Sequence, residues 1–332
     1  MKRLFCCSLL IFNLSFTLCL HAEFVQRLTF VELNCENLFD CLHDAGKQDT
    51  EYLPDAGRHW SSARYWRKVN HVGQTLLACS ADSAYTAIPD LIALCEVEND
   101  STLRDLTRRS LLRNAGYEYL MTESPDERGI DVALLYSPLT FAPICYETIG
   151  VPLVKGMRPT RDILYVQGRL ATGDTLHVFV VHAPSRFGGE RTTRPYRLQV
   201  AKRLTEFVET LRAEHPNPKI IMAGDFNDGP DRPAMQLLAD SGLRNVTAEA
   251  TGSHGARGTY YYEGEWEHID HVLISGALAD HLRSSRINDA PFLLEPDDRY
   301  GGLRPRRTYH GYKYQPGFSD HLPLVVTFQF SF

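Results

Sequence analysis

The sequence predicts a single α+β domain in which strands outnumber helices. Short runs rich in leucine, β-branched and aromatic residues recur at 28–33, 91–95, 132–136, 163–170, 175–181, 220–222, 269–274 and 324–330. Each has strand length. Helical periodicity appears between some of them, and no Gly/Ser/Pro linker, charge block or fixed-period repeat divides the chain. The 332 residues are 43% hydrophobic and 23% charged, which suits one large core and excludes low complexity or disorder for most of the chain.

Taken in order, the first element is a leader. Lys2 and Arg3 precede an apolar run over residues 4–20 that Asn13, Ser15 and Thr17 interrupt. A membrane anchor needs about 20 apolar residues, so residues 1–22 read as a secretory signal cleaved after Ala22. A lipoprotein reading at Cys19 is opposed by bulky Phe16 and Leu18. The expectation is an exported protein, periplasmic or extracellular, with no stable membrane anchor and one domain over residues 23–332. Without the leader, 33 basic residues face 41 acidic ones, a formal charge of −8. Strong non-specific attraction to a polyanion would then need a local patch. Five cysteines remain, an odd number, and Cys79 and Cys95 lie in apolar surroundings that suit buried thiols better than a disulfide framework.

Ser61 or Ser62 can cap a helix carrying Tyr65, Val69, Val72, Leu76 and Leu77. Thr192 or Thr193, with Pro195, opens another carrying Leu198, Ala201, Leu204, Val208 and Leu211. Residues 102–113 and 233–239 are shorter helical candidates. Polar residues stand where apolar strands end: Asn34, Glu96, His182 and Asp225. A rigid sheet presents chemistry at its rim in this way.

Asp225 and Asn227 follow the strand at 219–222 through Ala223 and Gly224. In extended backbone they share a face, so a carboxylate that orients water sits beside an amide that holds a phosphoryl oxygen. Taken alone, Gly-Asp-Phe-Asn equally reads as a turn. Ser319-Asp320-His321 runs into the last strand. A histidine beside a phosphate needs a carboxylate to fix its tautomer and charge, and Asp270 is the candidate partner for His321. His268 and His271 read as structural. Glu96 is either a loop residue or a hard-metal ligand, and magnesium, which keeps several waters, needs only one or two acids. No Cys-x-x-Cys or His-Glu-x-x-His calls for zinc.

Asn34-Cys35-Glu36-Asn37-Leu38-Phe39, Glu96, the segment from Arg128 to Tyr136, Val181-His182, Gly224-Asp225-Phe226-Asn227, Ile269-Asp270-His271 and Ser319-Asp320-His321 together resemble the endonuclease/exonuclease/phosphatase superfamily. The resemblance spans nearly the whole chain after the leader. It implies a four-layer αββα sandwich of two mainly antiparallel sheets flanked by helices, with the site at one rim. It further implies Glu96 as principal metal ligand, assisted by Asn34 and by Glu36 or Asp320. The metal would be Mg2+, with Mn2+ or Ca2+ as alternatives. Asp225 and Asn227 would orient the nucleophile and bind phosphate, and His321, paired with Asp270, would act as general base or electrostatic stabiliser. His182 stands where deoxyribonucleases and sphingomyelinases of the superfamily carry histidine and abasic-site endonucleases carry tyrosine, so the resemblance leans away from abasic-site repair.

Arg128, Arg186 and Arg191 are the candidate substrate-binding residues, the last two in a Gly-bearing loop at 184–194. The segment 289–318 interleaves Arg299, Arg304, Arg306, Arg307 and Lys313 with Tyr300, Tyr309, Tyr312 and Tyr314, as a single-stranded nucleic-acid path would, although such loops also simply cover sheets. The expected function is an exported phosphodiesterase, a nuclease first, acting as a monomer on a phosphodiester substrate, nucleic acid above all. A phosphomonoesterase, a sphingomyelinase-type enzyme and a catalytically silent binding protein are the alternatives.

Overall fold

The computed structural model describes residues 25–80 and 87–331. Residues 1–22, the expected signal, lie outside the described residues. No helix among them is long and apolar enough to cross a membrane.

Twelve strands build two six-stranded sheets. The first contains β1 (Val25–Leu38), β2 (Leu91–Val97), β3 (Glu118–Met121), β4 (Asp131–Tyr136), β11 (Leu282–Ile287) and β12 (Leu324–Ser331), in the order β11-β12-β1-β2-β4-β3. The second contains β5 (Phe141–Ile149), β6 (Ile163–Leu170), β7 (Thr175–His182), β8 (Lys219–Asp225), β9 (Leu243–Asn245) and β10 (Asp270–Ser275), in the order β5-β6-β7-β8-β10-β9. Only β1 with β2 and β7 with β8 pair in parallel; the other neighbours are antiparallel.

Side-chain alternation assigns the layers. Phe30, Ala93, Val132, Val166, Val178, Ile221 and Val272 meet between the sheets. On the outer face of the first sheet, Val31, Leu33, Ile92 and Leu94 pack against Val69, Val72 and Leu76 of α1 (Ser62–Leu77) and Leu103 and Leu106 of α2 (Asp100–Arg108). On the second, Phe179, Ile220 and Met222 pack against Val200, Leu204 and Val208 of α3 (Glu190–Glu214) and Met235 and Leu238 of α4 (Pro233–Asp240). Strands covered on both faces explain the nearly continuous apolar runs. The architecture is the αββα sandwich.

Helix α1 starts after Ser61, and α3 opens at Glu190 with Pro195 in its first turns. The segment 289–318 is not structureless: it folds into a 3-10 turn (Pro291–Leu293) and two short hairpins, Leu294–Pro296 with Leu303–Pro305 and Tyr309–His310 with Lys313–Tyr314. Cys35, Cys41, Cys79, Cys95 and Cys145 are free thiols.

Candidate active site

The inter-sheet core turns polar at one end. On β1 the inward positions Leu28 and Phe30 lead to Glu32 and Asn34; on β7, Val178 and Val180 lead to His182; on β8, Ile221 and Ala223 lead to Asp225. On β10, Val272 and Ile274 share a face with Asp270. Register then aligns three groups across three strands, since His182 and Asp270 both pair opposite Asp225. Close approach of β7 to β8 depends on Gly224, whose φ is +147° and where a Cβ would meet the Val181 carbonyl oxygen at 1.8 Å.

Glu96 reaches the same end by a different device. The β2 register shifts between Cys95 and Val97, and Glu96 has φ +61°. A bulge of this kind re-aims a side chain at a sheet rim. The facing end of β1 is irregular too, with Glu36 at φ +50° and Asn37 at φ +58°, while Asn227 stands at φ +52° beyond β8. Left-handed backbone at four non-glycine residues of one rim is strain held where chemistry needs it.

The resulting cleft, about 560 Å³, is lined by Glu96, Arg128, Arg161, His182, Arg186, Asp225, Asn227, Asp320 and His321, with Phe187, Tyr260, Tyr262 and Glu267 around them. Asp225 is held by both oxygens: Asn227 N donates to Oδ1 at 2.8 Å and Asn34 Nδ2 to Oδ2 at 3.1 Å. Burial, and then the charge of Asp270, push the Asp225 carboxyl up to about 7. Beside it, His321 Nδ1 donates to Asp270 Oδ2 at 2.8 Å. Burial works against the imidazolium, but Asp270 overrides it and holds His321 well above the usual histidine range. His182 is the opposite case: burial, then Arg161 and Arg128, drive it well below that range, so its ring is neutral. Its Nε2 lies 3.6 Å from Asp225 and 3.9 Å from Glu96.

Residues 29–329 match the model of the Endonuclease/Exonuclease/phosphatase family. This chain belongs to that family. As a member it is a metal-dependent hydrolase of phosphoric esters. Solved structures with the same fold include an endonuclease/exonuclease/phosphatase family protein from Bacteroides thetaiotaomicron, at 16% identity over 92% of this chain and 98% of that one, with a TM-score of 0.61. A mannosyl-6-phosphatase from the same organism aligns at 16% identity over 90% and 98%, with a TM-score of 0.60. The human Nocturnin catalytic domain with bound sulfate aligns at 16% over 92% and 97%, with a TM-score of 0.52. No curated protein matches the sequence.

Within this family site, the oxygen donors fit a hard divalent cation. Glu96 and Asp320 both face the cleft, and Glu96 Oε2 is steadied by Asn37 N at 2.8 Å. Asn34 sits beneath, with Nδ2 on Asp225 and Oδ1 accepting Glu36 N at 2.9 Å. The Glu36 carboxylate turns elsewhere: Thr308 N donates to it at 2.6 Å, Arg307 lies at 3.4 Å and the buried Lys68 at 3.7 Å. Arg307 also donates to Asp320 at 2.9 Å, which holds that acid below the usual range against the effect of burial. Asp225, Asp270 and His321 each bring a ligand atom within 4.8 Å of the others, a second grouping that could hold an ion.

Of the candidate substrate contacts, Arg128 lines the cleft and donates to Asn37 Oδ1. Arg186 lines it while paired with Glu267. Arg191 is exposed on α3 and does not line it. Two residues escaped the sequence reading. Arg161, 9% exposed, donates to Ala183 O at 2.7 Å, beside Asn227 Nδ2 at 3.1 Å on the same oxygen, and its buried Nε has no partner. Glu32 lies fully buried under Asp270 and His321 with neither oxygen bonded, and burial followed by Asp270 raises its carboxyl well above the usual range. Its parity with Phe30 and Asn34 was the only available signal.

Proposed function

We propose that the protein is an exported, magnesium-dependent phosphoesterase that hydrolyses a compact phosphoester by in-line attack of water. The observation that carries the reading is a single Asp225 carboxylate, fixed by Asn34 and Asn227 and raised to about 7, beside the charged His321–Asp270 pair. A base poised near neutrality can take a proton from water as the water oxygen bonds to phosphorus. As the bond from phosphorus to the leaving oxygen breaks, imidazolium His321 stabilises the developing negative charge, and neutral His182 and the Asn227 amide hold phosphoryl oxygens. Glu96 and Asp320 would hold a magnesium ion, which when bound would supply Lewis-acid polarisation of the phosphoryl group. No covalent nucleophile is needed, because positioning and electrostatics carry the reaction.

A compact substrate is favoured because cations beside the cleft are engaged: Arg186 with Glu267, and Arg307 with Glu36 and Asp320. A long polyanion needs free cations along its path. The nuclease reading keeps one specific support, the basic and aromatic rim of Arg128, Phe187 and Tyr262. Residues 1–22 serve as the export signal and residues 23–332 as one catalytic domain that acts as a monomer. N-terminal sequencing of secreted protein tests the cleavage after Ala22. Purified protein should turn over p-nitrophenyl phosphate or bis-p-nitrophenyl phosphate with magnesium and lose that activity with chelator. No turnover of any monoester or diester, plasmid DNA and RNA included, overturns the reading.

A further inference from the structure

Two aromatic rings stand at the mouth of the cleft with little to cover them. Phe187 is 87% exposed and Tyr262 is 56% exposed, and both line the cavity that holds Asp225 and His321. A phenylalanine this exposed gains nothing from the core, and among the described residues no ring contact joins it to Tyr262 or to any other aromatic side chain.

Their supports are stiff. Tyr262 ends the first strand of the hairpin Tyr260–Tyr262 with Glu265–Glu267, whose two connecting residues Glu263 and Gly264 have φ of +47° and +94°. Two left-handed residues make the tight turn that twisted hairpins favour. One hairpin face packs Tyr261 edge-on against Trp266 at 5.2 Å, so the opposite face carries Tyr260, Tyr262 and Glu267 toward the cleft. Phe187 follows Arg186 directly, and Arg186 forms a forked ion pair with Glu267. That pair fastens the Phe187 loop to the Tyr262 hairpin, so both rings belong to one entrance. At the inner end, Tyr260 stacks obliquely on His321 at 4.9 Å, which lines the way from the rings to the catalytic imidazole.

We infer that Phe187 and Tyr262 form an aromatic clamp for a planar ring on the substrate, such as a nucleobase, carried by the leaving group of the phosphoester. The inference rests on the phosphoesterase reading of the same site. Rings of this kind stack on any flat π-face, and a nucleobase offers two of them. Stacking of a base on an aromatic side chain contributes roughly 1–3 kcal/mol, about a tenfold to hundredfold effect on affinity.

The test compares adenosine 5′-monophosphate with ribose 5-phosphate, each also as its methyl diester, with magnesium. Scissile bond and leaving oxygen are the same within each pair, and only the base differs. The wild-type kcat/KM should favour the base-bearing ester by about tenfold or more. In Phe187→Ala/Tyr262→Ala that ratio should fall to near one, mainly through KM, and Phe187→Tyr should retain it. Equal wild-type rates with and without the base, or a preference that survives the double substitution, overturns the clamp and leaves the phosphoesterase reading standing. Hydrolysis of the nitrophenyl esters but of none of the four overturns the clamp alone, and no hydrolysis of any of these esters, plasmid DNA or RNA overturns both.

Discussion

His321 and Asp270 form a buried ion pair, 2.8 Å from Nδ1 to Oδ2, with the carboxylate fully out of solvent. Burial alone would discharge the ring, so its charge depends first on this partner, with Asp320 and Asp225 adding to it. Asp270→Asn should therefore let the imidazole pKa fall. The alkaline limb of the kcat–pH profile is expected to move to lower pH by about one unit or more, and kcat at about pH 8 should drop by about 10²–10⁴. A limb that stays in place would remove His321 as the charged group.

Asp225 makes stability depend on pH. Its folded carboxyl sits at about 7 against an ordinary 3.8, so the folded state binds the proton more tightly than the unfolded chain. The contribution is complete below about pH 4 and is lost as pH rises through about 7. Chelator-treated protein should show a Tm that falls between about pH 5 and about pH 8, by several degrees. Asp225→Asn should flatten that slope and lower kcat by about 10²–10⁴. An unchanged slope in the variant contradicts the assignment.

Glu96 is the acid best placed to take the metal without losing another partner. Glu96→Gln should raise the magnesium concentration for half-maximal thermal stabilisation by about 10- to 100-fold, and the activation midpoint should follow. Identical midpoints in wild type and variant would exclude Glu96 from the ligand set.

Glu36 is expected to act through the fold, as the centre of a network with Lys68, Arg307 and Thr308. Lys68→Met leaves that buried carboxylate one cation short and should cost about 3–5 kcal/mol in urea unfolding. A loss below about 1 kcal/mol would mean that Arg307 alone suffices.

The strands buried on both faces were legible because a continuous apolar run of that length fits little besides a strand covered on both sides; 163–170 coincides with β6, and 220–222 lies inside β8. Strands β3, β5, β9 and β11 were missed. They lie at sheet edges, where one face meets water: β5 keeps Ile144, Cys145 and Tyr146 exposed, and nothing in its pattern marks burial. At the site, Asp225, Asn227, His321 and Glu96 were readable from strand ends and motif order, and the cleft brings them together. Arg161 was not, because its value comes from Ala183 and Asp126, which are distant in sequence. Glu36 and Arg191 show the converse: each stands beside a site motif, yet the Glu36 carboxylate bonds Thr308 and Arg191 does not line the cleft.

The rung formed by His182, Asp225 and Asp270 across β7, β8 and β10 constrains how the molecule comes to life. A slip of one residue in either pairing turns a member of the rung toward the helices, and a slip of two carries it a full pleat away. No partly registered sheet can hold the trio. The return of catalysis during refolding is thus a gauge of β-sheet registration, and it should lag any signal that reports helix formation alone.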